Sequence, residues 1–188
     1  MVSSRQTLAV ALPDRLPVLA DDVLTLRAFE PGDAGAIAEA AQDPLIPAMT
    51  SVPSVPDPAE LLAYIERQHQ RLRDRWGYSF AVARNSDDEC VGQIGLWLRD
   101  LVYGRASIGY WITPTARRRG YAKVALEIIS RWGLALEGVF RLELYVEPRN
   151  EASWRAAERV GYQREGLLRS WQPVGGERRD MYMYSRLE

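Results

Sequence analysis

The chain of 188 residues is 47% hydrophobic and 10% aromatic, enough to bury one substantial core, and its length favours one domain over two. With 24 Lys and Arg against 25 Asp and Glu the formal net charge is −1, which argues against a nucleic-acid-binding module and confines any anion site to a local cluster. One cysteine and one histidine exclude an intramolecular disulfide framework, a cysteine-based zinc cluster and a multi-histidine site, so no metal is expected.

Residues 1–21 mix apolar residues with Pro13 and Pro17 without a sustained period and read as an N-terminal arm, leaving 22–188 as the domain. Val23 to Arg27 has strand character, and Pro31-Gly32-Asp33 opens an alanine-rich helix stopped by Asp43-Pro44. Prolines at 44, 47, 53, 56 and 58 favour a surface loop over any regular element, one able to line a substrate pocket. From Pro58 to Trp76, Leu61, Leu62, Ile65, Leu72 and Trp76 recur at helical spacing. The charges between them, Arg71 included, read as a solvated face, as does His69.

Tyr78 to Ala83 and Cys90 to Leu98 form a predicted hairpin, with Cys90 as a small apolar strand residue. Gly92 and Gly95 point to a bulge or a close backbone approach. Ala106 to Ile112 is the next strand, followed after a break by a helix over Lys123 to Trp132, and Phe140 to Val146 returns as a strand ended by Pro148. Strand, helix and strand suggest a parallel crossover. Asn150 to Val160 is a second helix stopped by Gly161, and Tyr162 to Arg169 and Arg178 to Leu187 close the chain as an antiparallel hairpin. No stretch approaches the roughly 18 to 20 continuous apolar residues of a membrane span, and residues 1–20 lack an ordered leader pattern, so the cytoplasm is the expected location without a membrane partner.

The stretch Arg117-Arg118-Arg119-Gly120-Tyr121-Ala122 joins the strand ending at Ile112 to the helix that follows. Helix N-terminal N–H groups lack intrahelical partners, the macrodipole adds partial positive charge, and Gly120 presents no Cβ, so the stretch has the ingredients of a phosphate site. Neither GxxxxGK with Ser or Thr nor GxGxxG occurs, which disfavours a P-loop and a dinucleotide fingerprint.

The order of elements and RRRGYA together resemble the GNAT N-acetyltransferase superfamily, whose signature places Arg or Gln, Gly, and Gly or Ala where Arg117, Gly120 and Ala122 stand. Leu24-Thr25-Leu26-Arg27, Asp33-Ala34, Ile108-Gly109-Tyr110-Trp111-Ile112, the run from Asn150 and Ser153 to Gly161-Tyr162, and Arg179-Asp180 resemble the branch containing the ribosomal-protein N-terminal acetyltransferases. The resemblance implies a mixed α/β (α+β) fold with a mainly antiparallel central sheet, helices on both faces and splayed central strands. It also implies acetyl-CoA as cosubstrate. Its pyrophosphate would lie on the main chain of Arg118 to Lys123, with Arg117, Arg118 and Arg119 able to add contacts and Gly120, Tyr121 and Ala122 forming the turn. The exposed backbone of Trp111, Ile112 and Thr113 would take the pantetheine arm.

Many members carry a tyrosine seven residues after the asparagine opening the second helix. Here that place is Ala157, so Ser153, one turn after Asn150, becomes the candidate to hydrogen-bond the departing sulfur. Glu143 is the candidate base, with a structural ion pair as the competing reading. Tyr110, Tyr145, Trp154 and Trp171 are lesser candidates, and Asp180 reads as structural. The implied acceptor is a primary amine, first a protein N-terminal α-amine. A small amine such as an aminoglycoside or polyamine is the nearest alternative, a non-catalytic acyl-CoA-binding module another, and a homodimer stays open as an assembly.

Overall fold

The computed structural model describes residues 11–187; residues 1–10 of the expected arm lie outside the described residues. A single sheet of eight strands carries the fold, in the order β1-β2-β3-β4-β5-β6-β8-β7. In chain order these are β1 (Leu19–Ala20), β2 (Leu24–Arg27), β3 (Gly77–Arg84), β4 (Cys90–Trp97), β5 (Arg105–Ile112), β6 (Arg141–Val146), β7 (Gln163–Val174) and β8 (Glu177–Leu187). Every pairing is antiparallel except β5 with β6. The expected crossover is therefore present, carried by α4 (Tyr121–Leu134).

Period-two patterning gives the sheet two apolar faces, and each is covered. Helices α4 and α5 (Glu151–Arg159) bury Ala125, Leu126, Ile129 and Ala157 against Leu26, Phe80, Ile94 and Leu142. On the other face α1 (Ala34–Ala41), α2 (Leu45–Met49) and α3 (Pro58–Arg73) bring Ile37, Ile46, Leu61, Tyr64 and Ile65 against Ala81 and Trp111. Residues of the lead-in also join the first core: Leu12, Leu16 and Leu19 pack against it, and the Tyr78 hydroxyl donates to Pro13 O at 2.9 Å. A bidentate pair between Arg27 and Asp33, both largely buried, ties β2 to the turn before α1.

The feature that positions the site is a fork in the sheet. β5 and β6 pair only at Arg105↔Arg141, Ala106↔Leu142 and Ser107↔Glu143. Beyond that rung β5 stays with β4 to Gly92↔Ile112, and β6 stays with β8 to Val146↔Tyr182. Each strand is held by its outer neighbour, so the inner edges part. Gly92 shows how close β4 and β5 run, because a Cβ built there would fall 2.4 Å from Trp111 O.

Several expectations need correction. Residues 45–49 are helical despite the prolines, because Pro44 is the N-cap and Pro47 falls in the first turn, where an N–H has no intrahelical acceptor to lose. α3 ends at Arg73, and Trp76 and Leu62 are exposed rather than part of the apolar stripe. The stripe is instead completed by Tyr64 and Gln68. His69 is not free surface: its Nε2 lies 2.9 Å from Phe29 O. The last hairpin turns at Gly175-Gly176, and its strands run further than expected, through an irregularity between Leu168 and Gln172.

Candidate active site

A cavity of about 2070 Å³ passes through the fork and opens on both faces of the sheet. On the α4/α5 face it is lined by Ile108, Tyr110 and Ile112 of β5, Leu144 and Val146 of β6, the turn before α4, and Asn150 and Ser153. On the other face it meets Tyr64, Gln68 and Arg71 of α3, Gln93 and Trp97 of β4, Tyr145, and Trp171 of β7. The proline-rich segment contributes Ile46, Met49, Thr50 and Ser51, as its expected place beside a pocket requires.

The turn from Arg117 to Lys123 builds an anion cradle. Arg118 and Gly120 take left-handed conformations, φ 65° and 84°, and Gly120 is the N-cap of α4. Successive N–H groups in such a turn converge on one concavity. Val124 is the first to reach an acceptor, Gly120 O at 3.2 Å, while the N–H groups of Arg118 to Lys123 find none among the described residues. A Cβ built on Gly120 meets nothing within 4 Å. The cradle is open where a phosphate would enter and supplies donors aimed at it, so these residues fit coenzyme A.

Arg117 does a different job from its neighbours. Its Nε donates to Ile112 O at 3.2 Å and its Nη2 lies 2.6 Å from Asp43 Oδ2, so the guanidinium braces the turn rather than standing free for phosphate. Arg118 and Arg119 are exposed and in no ion pair among the described residues. Along β5, Thr113 N donates to Val91 O at 2.9 Å, so alternation turns the backbone of Trp111 toward β4 and that of Tyr110 and Ile112 toward the fork. Trp111 faces the other layer and donates from Nε1 to the Tyr64 hydroxyl at 3.2 Å.

Asn150 is the N-cap of α5, its side chain accepting from Ser153 N at 3.2 Å. Ser153 Oγ is 2.8 Å from the Tyr110 hydroxyl, which also lies 3.3 Å from Ser153 O. Burial raises the Tyr110 pKa, so the phenol keeps its proton through the neutral range. Ala157 is fully buried in the core one turn further on. The sequence singled out Ser153 but ranked Tyr110 low, because alternation alone does not say which helix a strand tyrosine meets.

Glu143 is 1% exposed and stands at the last rung of the fork. Arg141 Nε donates to Oε1 and the Tyr145 hydroxyl to Oε2, each at 2.7 Å, with Arg105 3.6 Å away. Both oxygens are committed, and the cavity reaches this carboxylate through Tyr145, whose ring stacks on Trp171 at 5.5 Å. Burial and the Glu143 contact raise the Tyr145 pKa. Asp180 is structural: its Oδ1 accepts from Ser170 N at 2.7 Å across the β7 irregularity. Trp154 donates to Pro148 O and has no part in the acceptor side. Cys90 is buried, its thiol pushed up to about 12 by desolvation.

Side chains lining the cavity on the α3 face of the sheet were not evident in the sequence. Gln68, Ser79 and Gln93 form a buried hydrogen-bonded chain, with Gln93 donating to Ser79 Oγ and Ser79 Oγ to Gln68 Oε1. Arg71, expected on a solvated face, lies with its guanidinium 4.6 Å from the Trp97 ring centroid. Only a count of polar residues one turn apart from Tyr64 would have hinted at this inward stripe.

A fork between parallel strands, with a main-chain anion cradle on one side and a side-chain-lined chamber on the other, defines a coenzyme-A-dependent acyltransferase. Known proteins agree. A family model described as an acetyltransferase (GNAT) domain matches residues 23–163. An uncharacterized N-acetyltransferase of Bacillus licheniformis is 28% identical over 165 residues, covering 88% of this chain and 93% of its own. Among solved structures, RimJ of Mycobacterium smegmatis in complex with CoA-disulfide superposes with TM-score 0.75 at 22% identity, covering 92% of this chain and 86% of its own. Ribosomal-protein-S5-alanine acetyltransferase of Vibrio fischeri gives 0.72 at 16% identity, covering 91% and 96%. The chain belongs to the GNAT acetyltransferase family and is an acetyl-CoA-dependent N-acetyltransferase.

Proposed function

We propose that the protein acetylates a protein N-terminal α-amine by direct transfer, with donor and acceptor meeting at the fork from opposite faces of the sheet. The observation that carries this reading is the cavity itself, which is continuous through the parted strands and so lets an amine reach the cofactor side without a covalent enzyme intermediate. Its acceptor half is a long trough from α2 past α3 to β7, a shape suited to an extended peptide. The ribosomal-protein-S5-alanine acetyltransferase of Vibrio fischeri, among the structural neighbours, supports the same acceptor.

Bound acetyl-CoA supplies a thioester carbonyl for the amine and a thiolate as leaving group. Arg118 to Lys123 bind its pyrophosphate through main-chain N–H groups, with Gly120 giving clearance, and the backbone of Tyr110 together with the N–H of Ile112, whose carbonyl is taken by Arg117, receives the pantetheine arm. Asn150 fixes the first turn of α5 and so the place of Ser153. With Tyr110 donating to Ser153 Oγ, the serine hydroxyl proton is free to point into the fork, toward the leaving sulfur. On the other side, a proton taken up by the Tyr145 oxygen passes the phenol's own proton to Glu143 Oε2, making Glu143 the sink for the amine's proton. The domain takes in β1 and the lead-in packed on the core as well as the residues from 22 onward, and it acts in the cytoplasm.

Two-substrate initial-rate kinetics test the reading, with thiol release measured against peptides with free N-termini and against small amines. Intersecting lines with a peptide are the expected result. Parallel lines would point to a covalent intermediate, and turnover confined to small amines would move the acceptor class.

A further inference from the structure

Resting on the acetyl-transfer reading above, we infer that Arg71, stacked on Trp97 and tethered by Ser51, is an anion-recognising subsite that selects peptide acceptors carrying a carboxylate about three residues from the amine. The charge distribution in the chamber carries the inference. Each carboxylate lining the cavity has a cation of its own: Asp43 with Arg117, Asp100 with Arg105, Glu147 with Arg149, Glu151 with Arg155. On the acceptor face Arg71, Arg75 and Arg99 line the same cavity and enter no ion pair among the described residues. The chamber therefore holds unbalanced positive charge, a field that repels polyamines and aminoglycosides and draws an acid.

Arg71 is the best placed of the three. Its guanidinium lies 4.6 Å from the indole centroid, Nη2 donates to Ser51 Oγ at 3.0 Å, and Nε is buried without a partner. A guanidinium fixed by a ring and a hydroxyl loses little freedom on binding an anion, and its planar edge matches a carboxylate. Burial lowers its pKa and Arg67 adds a like charge, while no carboxylate pairs with it among the described residues. A half-buried cation left in this state is costly unless something pays for it, and an acidic ligand does so.

The register sets the reach. Trp97 pairs with Ser107, and Ser107 pairs with Glu143, so the subsite lies level with the last rung of the fork and two strands across. Two strand spacings are about 10 Å, the span of about three extended residues. An acidic side chain at the third position of a peptide therefore reaches Arg71 when the amine is at the fork.

The test uses the full chain, acetyl-CoA and peptides identical except for glutamate, glutamine or lysine at the third position, with free glutamate as a further arm. We expect kcat/KM to fall about tenfold from glutamate to glutamine, and further for lysine, with the ratio collapsing toward one in Arg71→Gln and partly retained in Arg71→Lys. Thermal midpoints with and without acetyl-CoA confirm that each variant folds and binds cofactor. Equal rates on all three peptides, or a preference that survives in Arg71→Gln, would overturn the subsite and leave acetyl transfer standing. Turnover of free glutamate above the peptides would overturn this placing of the subsite, because its carboxylates cannot span about 10 Å from the amine. No thiol release with any amine, while acetyl-CoA binds, would overturn both readings.

Discussion

Gly120→Ala separates the cofactor cradle from the stability of the turn that forms it. Gly120 has φ +84°, where an L-residue costs about 1–2 kcal/mol, and a Cβ there meets no protein atom within 4 Å. The variant should fold with a stability loss of that size and no further steric penalty. Because the left-handed strain is present with and without cofactor, it cancels from the binding equilibrium. What remains is the clash between the new methyl and the phosphate, which lifts the anion off its N–H donors. Losing one charge-assisted hydrogen bond costs about 1.5–3 kcal/mol, or about 10- to 150-fold in acetyl-CoA affinity. Gly120→Glu adds like charge and should weaken binding more. Isothermal calorimetry gives the affinity and urea unfolding the stability. An alanine variant that loses stability as described yet binds acetyl-CoA with unchanged affinity would place the pyrophosphate elsewhere.

Ser153→Ala and Tyr110→Phe should each lower kcat more than they raise the KM for acetyl-CoA, and the double variant should be no slower than the slower single one. Strictly additive losses in that cycle would show that the 2.8 Å contact does not couple them. Asp33→Asn leaves Arg27 largely buried with only the exposed Asp88 as an ionic partner, and urea unfolding should show a loss of about 3 kcal/mol; no loss would mean that the pair is neutral to folding. Glu165 is held down at about 2 by hydrogen bonds from Arg141 and Ser185, against an ordinary 4.5. Its contribution is therefore complete above about pH 4.5 and drains away as the pH falls toward about 2. Melting curves of wild type and Glu165→Gln should converge across that window, and a constant gap would contradict the assignment.

The proposed cofactor cradle was legible because main-chain groups build it. A strand ending at Ile112, a break, and Arg117 to Ala122 before an apolar helical period place donors wherever that local geometry forms, and the crossover to β6 follows from the same pattern. Even there, which backbone faces the fork depended on the β4 register, which moved the free groups from Trp111 to Tyr110. The proline-rich stretch misled for a related reason. Proline weighs against a helix interior, but one five-residue turn has almost no interior, and Pro44 and Pro47 occupy positions whose N–H groups are dispensable.

The acceptor half was opaque because it is assembled from side chains far apart in the chain. Periodicity sorts residues by class, so it put Arg71 with the solvated charges of α3, and nothing local reveals that Trp97 will lie beneath it. The same blindness covered Tyr110, whose partner Ser153 is 43 residues away. A fold can therefore keep its cradle fixed by local sequence while its chamber is rewritten one side chain at a time. On the readings proposed above, Arg71 alters the charge presented to the acceptor, and Ser153 supplies from the first turn of α5 a hydroxyl that Ala157, further along the same helix, cannot. Substitutions that change acceptor choice should thus concentrate on α3, β4 and β7, outside the stretch that identifies the family.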